Sequence, residues 1–320
     1  MSSIHTNTAA MTALKALQMT NSALESTQKN ISTGYRVSDA SDNAAYWSIA
    51  TTMRSDNKAL STVNDALGLG AAKVDVAYTA TKSAIDVVDE IKSKLVAAKE
   101  PGVDKSKIQS EVKALQEQLK AIADSASFSG ENWLASSATS GATKEIVASF
   151  TRDSSGAVSI GTVSVDVHSS KLFDSATIDR TTTSSTGRGI LDSTLADYDH
   201  DGDGGASTAA LTYTVSIYNL DITSVTDDQL DGMIVGVESA LNSMTTAAAD
   251  LGSSKSRIDM QTKFIGNLMD SISSGIGKLV DADMTEESTK LQALQTQQQL
   301  GIQALSMANS GSQSLLSLFR

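Results

Sequence analysis

Residues 53–95 read MRSDNKALSTVNDALGLGAAKVDVAYTATKSAIDVVDEIKSKL, and stepping by seven from the first position meets Met53, Leu60, Leu67, Val74, Thr81, Val88 and Leu95. A companion row at the same step runs Ile49, Asp56, Val63, Gly70, Ala77, Ala84 and Ile91. Mostly apolar rows at this spacing form the a/d seam of a coiled coil, and a seam kept up over about 47 residues predicts a helix roughly 70 Å long that faces a partner helix. The stretch KEPGVD, residues 99–104, ends it, because Pro101 cannot continue a helical ladder. A second, antiparallel segment follows, with Ile108, Val112, Leu115, Leu119 and Ile122 at alternating steps of four and three.

The partner stripe lies near the other end of the chain. Leu230, Val237, Met244, Leu251, Ile258, Ile265, Ile272 and Leu279 repeat at seven residues, with Ile234, Leu241, Ala248, Met269 and Ile276 as the companion row and Lys255 and Thr262 interrupting it. TDDQ, residues 226–229, has the hydroxyl and the amide three apart that a capping box needs, so the helix is predicted to start there.

Both extreme ends carry weaker stripes. Ala10, Leu14, Leu17, Leu24 and Ile31 share one face, interrupted by Asn21 and Gln28; Leu291, Leu294, Leu305, Ala308, Leu315, Leu316 and Phe319 mark the other, interrupted by Gln298, Gly301 and Ser312. Helices with such stripes are marginal alone in water and are expected to order against partners.

From about Ser136 to Val225 the helical period disappears. Ser, Thr, Gly and Asp dominate, and strand-like alternation is predicted at Val163, Val165 and Val167 and again at Leu211, Tyr213, Val215 and Ile217, with RDSSGA, residues 152–157, as a hairpin turn. The expected fold is therefore mainly α: long antiparallel coiled-coil helices from both chain ends, with a small β-rich insertion at the outer end.

Composition narrows the function. The chain has 25 basic and 37 acidic residues among 320, a net charge of −12, which argues against nucleic acid and anionic membrane surfaces as partners. It has no cysteine and only three histidines, His5, His168 and His200, too few for thiolate metal sites or a multi-histidine centre. A single proline permits long unbroken helices, and 4% aromatic residues implies cores built from small layers. No run approaches the ~20 apolar residues of a membrane span, and the start MSSIHTNTAA lacks the basic and apolar regions of a signal peptide, which by itself points to the cytosol.

The densest acidic cluster is DYDHDGDGG, residues 197–205. Asp197, Asp199, Asp201 and Gly202 match the first ligand positions and the glycine of a calcium loop, with Asp203 adjacent, but the closing glutamate is replaced by Thr208. An exposed acidic turn between strands is the expected reading, and calcium binding the alternative. No phosphate loop, nucleophile elbow, zinc-protease helix or dinucleotide fingerprint is present, so neither catalysis nor a cofactor is expected.

The two ends also carry a family pattern. Thr6 and Asn7, then Ser32, Thr33, Gly34, Arg36, Val37, Ala40, Asp42, Asn43, Ala44 and Ala45, resemble the amino-terminal region of bacterial flagellins. Asp281, Asp283, Met284, Glu287, Leu291, Gln297, Gln298, Ala304, Leu305, Ala308, Asn309 and the closing 315–320 resemble their carboxy terminus. The resemblance covers roughly the first 135 and the last 95 residues.

It implies a structural protein, not an enzyme, that assembles with itself and with other flagellins into the extracellular filament of swimming bacteria. Residues 1–40 and 280–320 would form the inner layer, 41–135 and 226–279 the coiled-coil body, and 136–225 the outer domain. Leu14, Leu17, Leu24, Ile31, Leu291, Leu294, Leu305, Leu315, Leu316 and Phe319 would line the subunit interface, and Asn7, Gly34, Arg36, Asp42, Asn43 and Asn309 would belong to the family motif. The implied partners are the filament cap and hook-associated proteins, an export chaperone and a flagellar type III export apparatus, a route that replaces the cytosolic inference. Tyr46 and Trp47 stand where many flagellins have smaller residues and serve either local packing or a distinct subunit contact. The alternatives are the hook–filament junction protein, a secreted calcium-binding module and a cytosolic coiled-coil scaffold.

Overall fold

The computed structural model describes residues 7–136, 143–153, 155–174, 189–193 and 216–317, the last seven as backbone alone. In chain order the elements are α1 (Thr8–Thr33), α2 (Ala44–Ala98), α3 (Lys105–Ser125), β1 (Ser127–Phe128), β2 (Glu131–Asn132), β3 (Thr143–Arg152), β4 (Val158–Asp166), a 3₁₀ turn (Ile217–Asn219), α4 (Asp227–Val280) and α5 (Met284–Ser317). The chain divides into two compact units, residues 60–266 and residues 1–59 with 267–320, the division falling inside α2 and α4. No helix among the described residues is long and apolar enough to cross a membrane.

In the unit of residues 60–266 the seams are the core. Leu60, Leu67, Val74, Thr81, Val88 and Leu95 are buried, as are Val63, Ala77, Ala84 and Ile91 of the companion row. At roughly 1.5–3 kcal/mol for each large apolar side chain, these rows supply the main drive for packing α2 against its neighbours. On α4, Leu230, Val237, Met244, Leu251 and Ile258 are buried in turn.

The companion row of α4 differs from the expectation. Met233, Ala240, Ala247 and Ser254 are buried, whereas Ile234, Leu241 and Ala248 are half-covered. A helix of 3.6 residues per turn places both i+3 and i+4 beside the primary row, and small Ala240, Ala247 and Ser254 allow the closer approach beyond Met233. Lys255, read as an interruption, lies beside the seam and pairs with Asp75 of α2.

Three ion pairs join α2 and the turn that follows it to α4: Lys92 with Glu238, Lys99 with Asp231 and Lys255 with Asp75. All three fit one antiparallel register. Exposed or only partly covered, they mark the alignment that the apolar rows enforce more than they stabilise it. The helix starts are capped locally: Asp104 accepts from Ser106 N at 3.0 Å, and Thr226 and Gln229 form the expected reciprocal box, Thr226 N donating to Gln229 Oε1 at 2.8 Å and Gln229 N to Thr226 Oγ1 at 3.4 Å.

β3 and β4 form the hairpin that RDSSGA predicts, antiparallel from Thr143 opposite Asp166 to Arg152 opposite Val158, with a bulge between Val147 and Ser149. Asp153 closes the turn by accepting from Ser155 N and Ala157 N, and Gly156 takes a positive φ of 88°. The inward face, Ile146, Ala148, Val163 and Val165, is buried, while Val158 and Ile160 are exposed. Ile146 occupies the space left by the missing side chain of Gly70, so the gap in the α2 companion row is where the hairpin docks. Gln261 of α4 donates to Ala148 O at 2.9 Å from the other side.

A second small core joins the loops. Trp133, Leu134, Leu172, Phe173, Leu191, Ile217, Leu220 and Ile222 are buried, with Phe173 edge-on to Tyr218 at 5.6 Å. α3 holds it through two glutamines. Gln116 Nε2 donates to Ile217 O at 2.8 Å and Leu220 O at 3.1 Å, and Gln109 bonds Leu220 O and Ile222 N. Ile217, expected in a strand, therefore sits in the 3₁₀ turn, its carbonyl taken by a side chain instead of a neighbouring strand; Leu211, Tyr213 and Val215 lie outside the described residues.

Two predictions follow from these contacts. Gln116→Met keeps the volume but leaves the buried Ile217 carbonyl unpaired, Leu220 O keeping its bond from Gln109, and is expected to cost about 2 kcal/mol in urea unfolding. Glu131, bonded by Lys73 at 2.6 Å and Lys144 at 3.0 Å, is held down to about 2 from 4.5. A lowered folded pKa stabilises fully above the unfolded value, and the contribution is lost as pH falls from about 4.5 toward 2. The site is partly exposed, so Glu131→Gln is expected to cost under about 1 kcal/mol at pH 7 and progressively less as the pH falls from about 4.5 toward 2, read from urea midpoints.

Candidate assembly surface

α1 and α5, in the unit of residues 1–59 and 267–320, pack along each other antiparallel. Asn7 caps α1, its Oδ1 accepting from Ala10 N at 3.0 Å, while its Nδ2 reaches Ala308 O of α5 at 3.0 Å. At the opposite end Gly34 stops α1 in the left-handed conformation, φ 75°, where a side chain would be strained. Asp283 then starts α5 by accepting from Thr285 N at 2.8 Å.

The two helices meet through partly covered rows. Ala10, Ala13, Leu17, Thr20, Leu24 and Ile31 of α1 are half-buried and Thr27 is fully buried; on α5, Leu291, Leu294, Gln298, Gly301, Leu305 and Ala308 are half-buried. The side chain of Leu17 lies over Gly301. Gln298 Nε2 donates to Asn21 Oδ1 at 2.9 Å, and Asn30 Nδ2 to Glu287 Oε1 at 3.1 Å.

The turn after α1 is tied to the end of α4. Tyr35 bridges Asp281, Ala282 N donates to Gly34 O at 2.9 Å, and Arg36 N donates to Val280 O at 2.7 Å. The Arg36 guanidinium adds a bond to Leu279 O at 3.1 Å. Val37 is buried with Ala50, Ile276 and Val280. Asp42 accepts from the backbone N–H groups of Asp39 and Ser38, which hold its carboxyl below the usual range, and Lys29 reaches both Asp39 and Asp42. Asn43 Oδ1 accepts from Ala45 N and Tyr46 N and so starts α2. Five motif residues thus share one task, setting the ends and directions of helices at two turns and a terminus.

What α1 and α5 leave uncovered is as informative. Leu14 is exposed, unlike Leu17, Leu24 and Ile31, and Met11, Met19, Leu300, Ile302 and Met307 are exposed with it, up to 74% at Met307. Tyr46 and Trp47 are partly covered, each with over a third of its surface exposed. Tyr35 carries Arg54 over its ring at 5.0 Å. Asn309 is exposed on α5. Leu315 and Leu316 lie on helical backbone whose side chains are outside the described set, as is Phe319.

The acidic turn with Asp197, Asp199, Asp201 and Asp203 also lies outside the described residues; among those described, no group of three or more His, Asp or Glu could hold a metal. Sequence reading overlooked Thr27, Asn30 and Glu287 as members of the seam, because all three are polar and the pairing of the last two spans 257 residues. The capping role of Asp283 was legible, since an acidic residue directly before a helical run is a start signal.

Comparison with known proteins agrees with this arrangement. Residues 4–139 match the model of the bacterial flagellin N-terminal helical region, and residues 234–319 that of the C-terminal helical region. Flagellin C of Rhizobium meliloti (strain 1021) is 54% identical over 325 aligned residues, covering all of both chains. Flagellin A of Rhizobium meliloti is 47% identical over 395, and a flagellin of Brucella melitensis biotype 1 is 45% identical over 323, again with full coverage of both. Matched at both helical ends and aligned over its whole length, the chain belongs to the bacterial flagellins.

Proposed function

We propose that the chain is the structural subunit of a bacterial flagellar filament, polymerising through the outer faces of α1 and α5. The observation that carries this is the row of exposed apolar side chains, Met11, Leu14, Met19, Leu300, Ile302 and Met307, on a helix pair that cannot cover them itself. Apolar surface left in water is stabilised by contact with further copies, and a contact between unlike faces that does not close on itself builds an open helical array. The filament lies outside the cell. Residues 1–40 and 280–320 are the inner layer in this reading, 41–135 and 226–279 the body, and 136–225 the outer part. Other flagellins are candidate co-subunits.

The finer partners follow from family membership: cap and hook-associated proteins at the filament ends, and an export chaperone and type III apparatus before assembly. Continued appearance of the chain in the medium of a strain lacking that apparatus would refute the export route. Nothing distinctive favours the junction protein or a calcium module.

Elongation from short filament seeds, followed by electron microscopy, is the direct test. The full chain is expected to elongate and a chain lacking residues 300–320 is not; elongation by both would place the interface elsewhere. A second measurement addresses Trp47. The chain has two tryptophans, and Trp133 is buried while Trp47 is 37% exposed. If Trp47 serves a subunit contact, its emission in a Trp133→Phe background shifts to the blue on polymerisation; an unchanged spectrum removes it from the interface.

A further inference from the structure

Three of the residues that interrupt the terminal stripes, Asn21, Gln298 and Gly301, meet a partner across the helix boundary, and a polar pair beside the stripes does the same. Leu17 lies over Gly301, Asn21 accepts from Gln298, and Asn30 donates to Glu287. All three obey one antiparallel register, in which residue i of α1 faces a residue near 318 minus i on α5. From this we infer that these contacts are a register key: three matched pairs that let α1 meet α5 of its own chain in one alignment. The inference rests on α1 and α5 being the assembling elements, because a subunit whose two helices could pair in several alignments would present several different outer surfaces.

The reasoning is geometric. A heptad stripe, taken alone, fits its partner equally well after a slide of seven residues, since apolar residues again meet apolar residues. The key residues do not allow that. A slide in one direction sets Glu287 against Ala23 and Gln298 against Leu14, and drives Leu17 onto Leu294 instead of the space above Gly301. In the other direction, Leu17 meets Ala308, Asn21 loses Gln298 and Asn30 loses Glu287.

Glu287 carries the largest penalty. It is 8% exposed, its Oε1 accepts from Asn30, and the nearest cation, Lys290 on its own helix, is 4.0 Å away. A buried carboxylate without its donor is strongly disfavoured, and single polar residues at seam positions are an established way to specify register in coiled coils. The bridge at Tyr35 and Asp281 pins one end of the pair; Asn30 with Glu287 is the first lock beyond it, and the other two carry the alignment outward.

The chain has no cysteine, so introduced pairs report the register directly. A Cβ placed on Gly301 falls 3.9 Å from Leu17 Cβ, inside the ~3.5–4.5 Å that a disulfide spans. In full-length protein assembled on seeds, Leu17→Cys with Gly301→Cys is expected to close within one chain. Ala10→Cys or Leu24→Cys with Gly301→Cys, which report the two slides, are expected to stay open. Slid pairs closing as readily as the first would overturn the inference.

A swap tests the key itself. Asn30→Asp sets two carboxylates together and is expected to slow seeded elongation at least about tenfold, and adding Glu287→Gln, which exchanges acid and amide, to restore it to within about threefold. Elongation unaffected by the single change, or not restored by the double, would refute the pairing. If no variant elongates, the unsubstituted chain included, while the 17–301 disulfide alone still forms in solution, the filament reading fails and the register stands.

Discussion

Two antiparallel helices can bury only the faces they turn toward each other. α1 and α5 are in that position: their shared seam is covered, and Met11, Met19, Leu300, Ile302 and Met307 remain in water. Everything asked of this unit follows from the constraint. The pair needs other surfaces to cover its outer faces, and copies of the same chain are the partners a filament supplies. The seam itself is built from small and polar residues as much as from leucine, so it buries less apolar surface than the seams of residues 60–266.

The unit of residues 60–266 solves the same problem internally. α2, α3, α4 and the β3–β4 hairpin cover each other's seams, so the buried rows run without the interruptions seen at the ends. Where a row does break, another element uses the break. Gly70 leaves the space that Ile146 of the hairpin fills, and the buried amide of Gln116 satisfies the carbonyls of Ile217 and Leu220. This unit therefore has the makings of a rigid body. The ion pairs along α2 and α4 lie at its surface and add alignment more than stability.

The motif residues Gly34, Arg36, Asp42 and Asn43 all act on the chain's own backbone. Gly34 supplies a left-handed stop, Arg36 holds a carbonyl at the end of α4, Asp42 gathers backbone amides, and Asn43 caps α2. Their common product is a pair of helix directions. In a protein whose function is its shape, positions that fix a chain reversal hold the place that catalytic residues hold in an enzyme, since an error of angle at the turn would be repeated in every subunit.

Much of this was written in the sequence because it depends on local periodicity and capping. The heptads of α2 and α4, the stop at Pro101, the box at Thr226 and Gln229 and the turn at Asp153 each need only a few neighbouring residues to be recognised. Long-range pairing was not legible. The sequence placed the α4 companion row at Ile234 and Leu241, and close packing moved burial to Met233 and Ala240, because two adjacent positions on a helix are equivalent until a partner chooses between them. It assigned Ile217 to a strand, and the amide of Gln116, about a hundred residues away, holds it in a turn instead. It marked Asn21, Gln298 and Gly301 as flaws in a stripe; only the tertiary structure brought them to one another. Periodicity along a chain determines which face a helix offers, but which residue meets which is settled by contact between surfaces far apart in sequence.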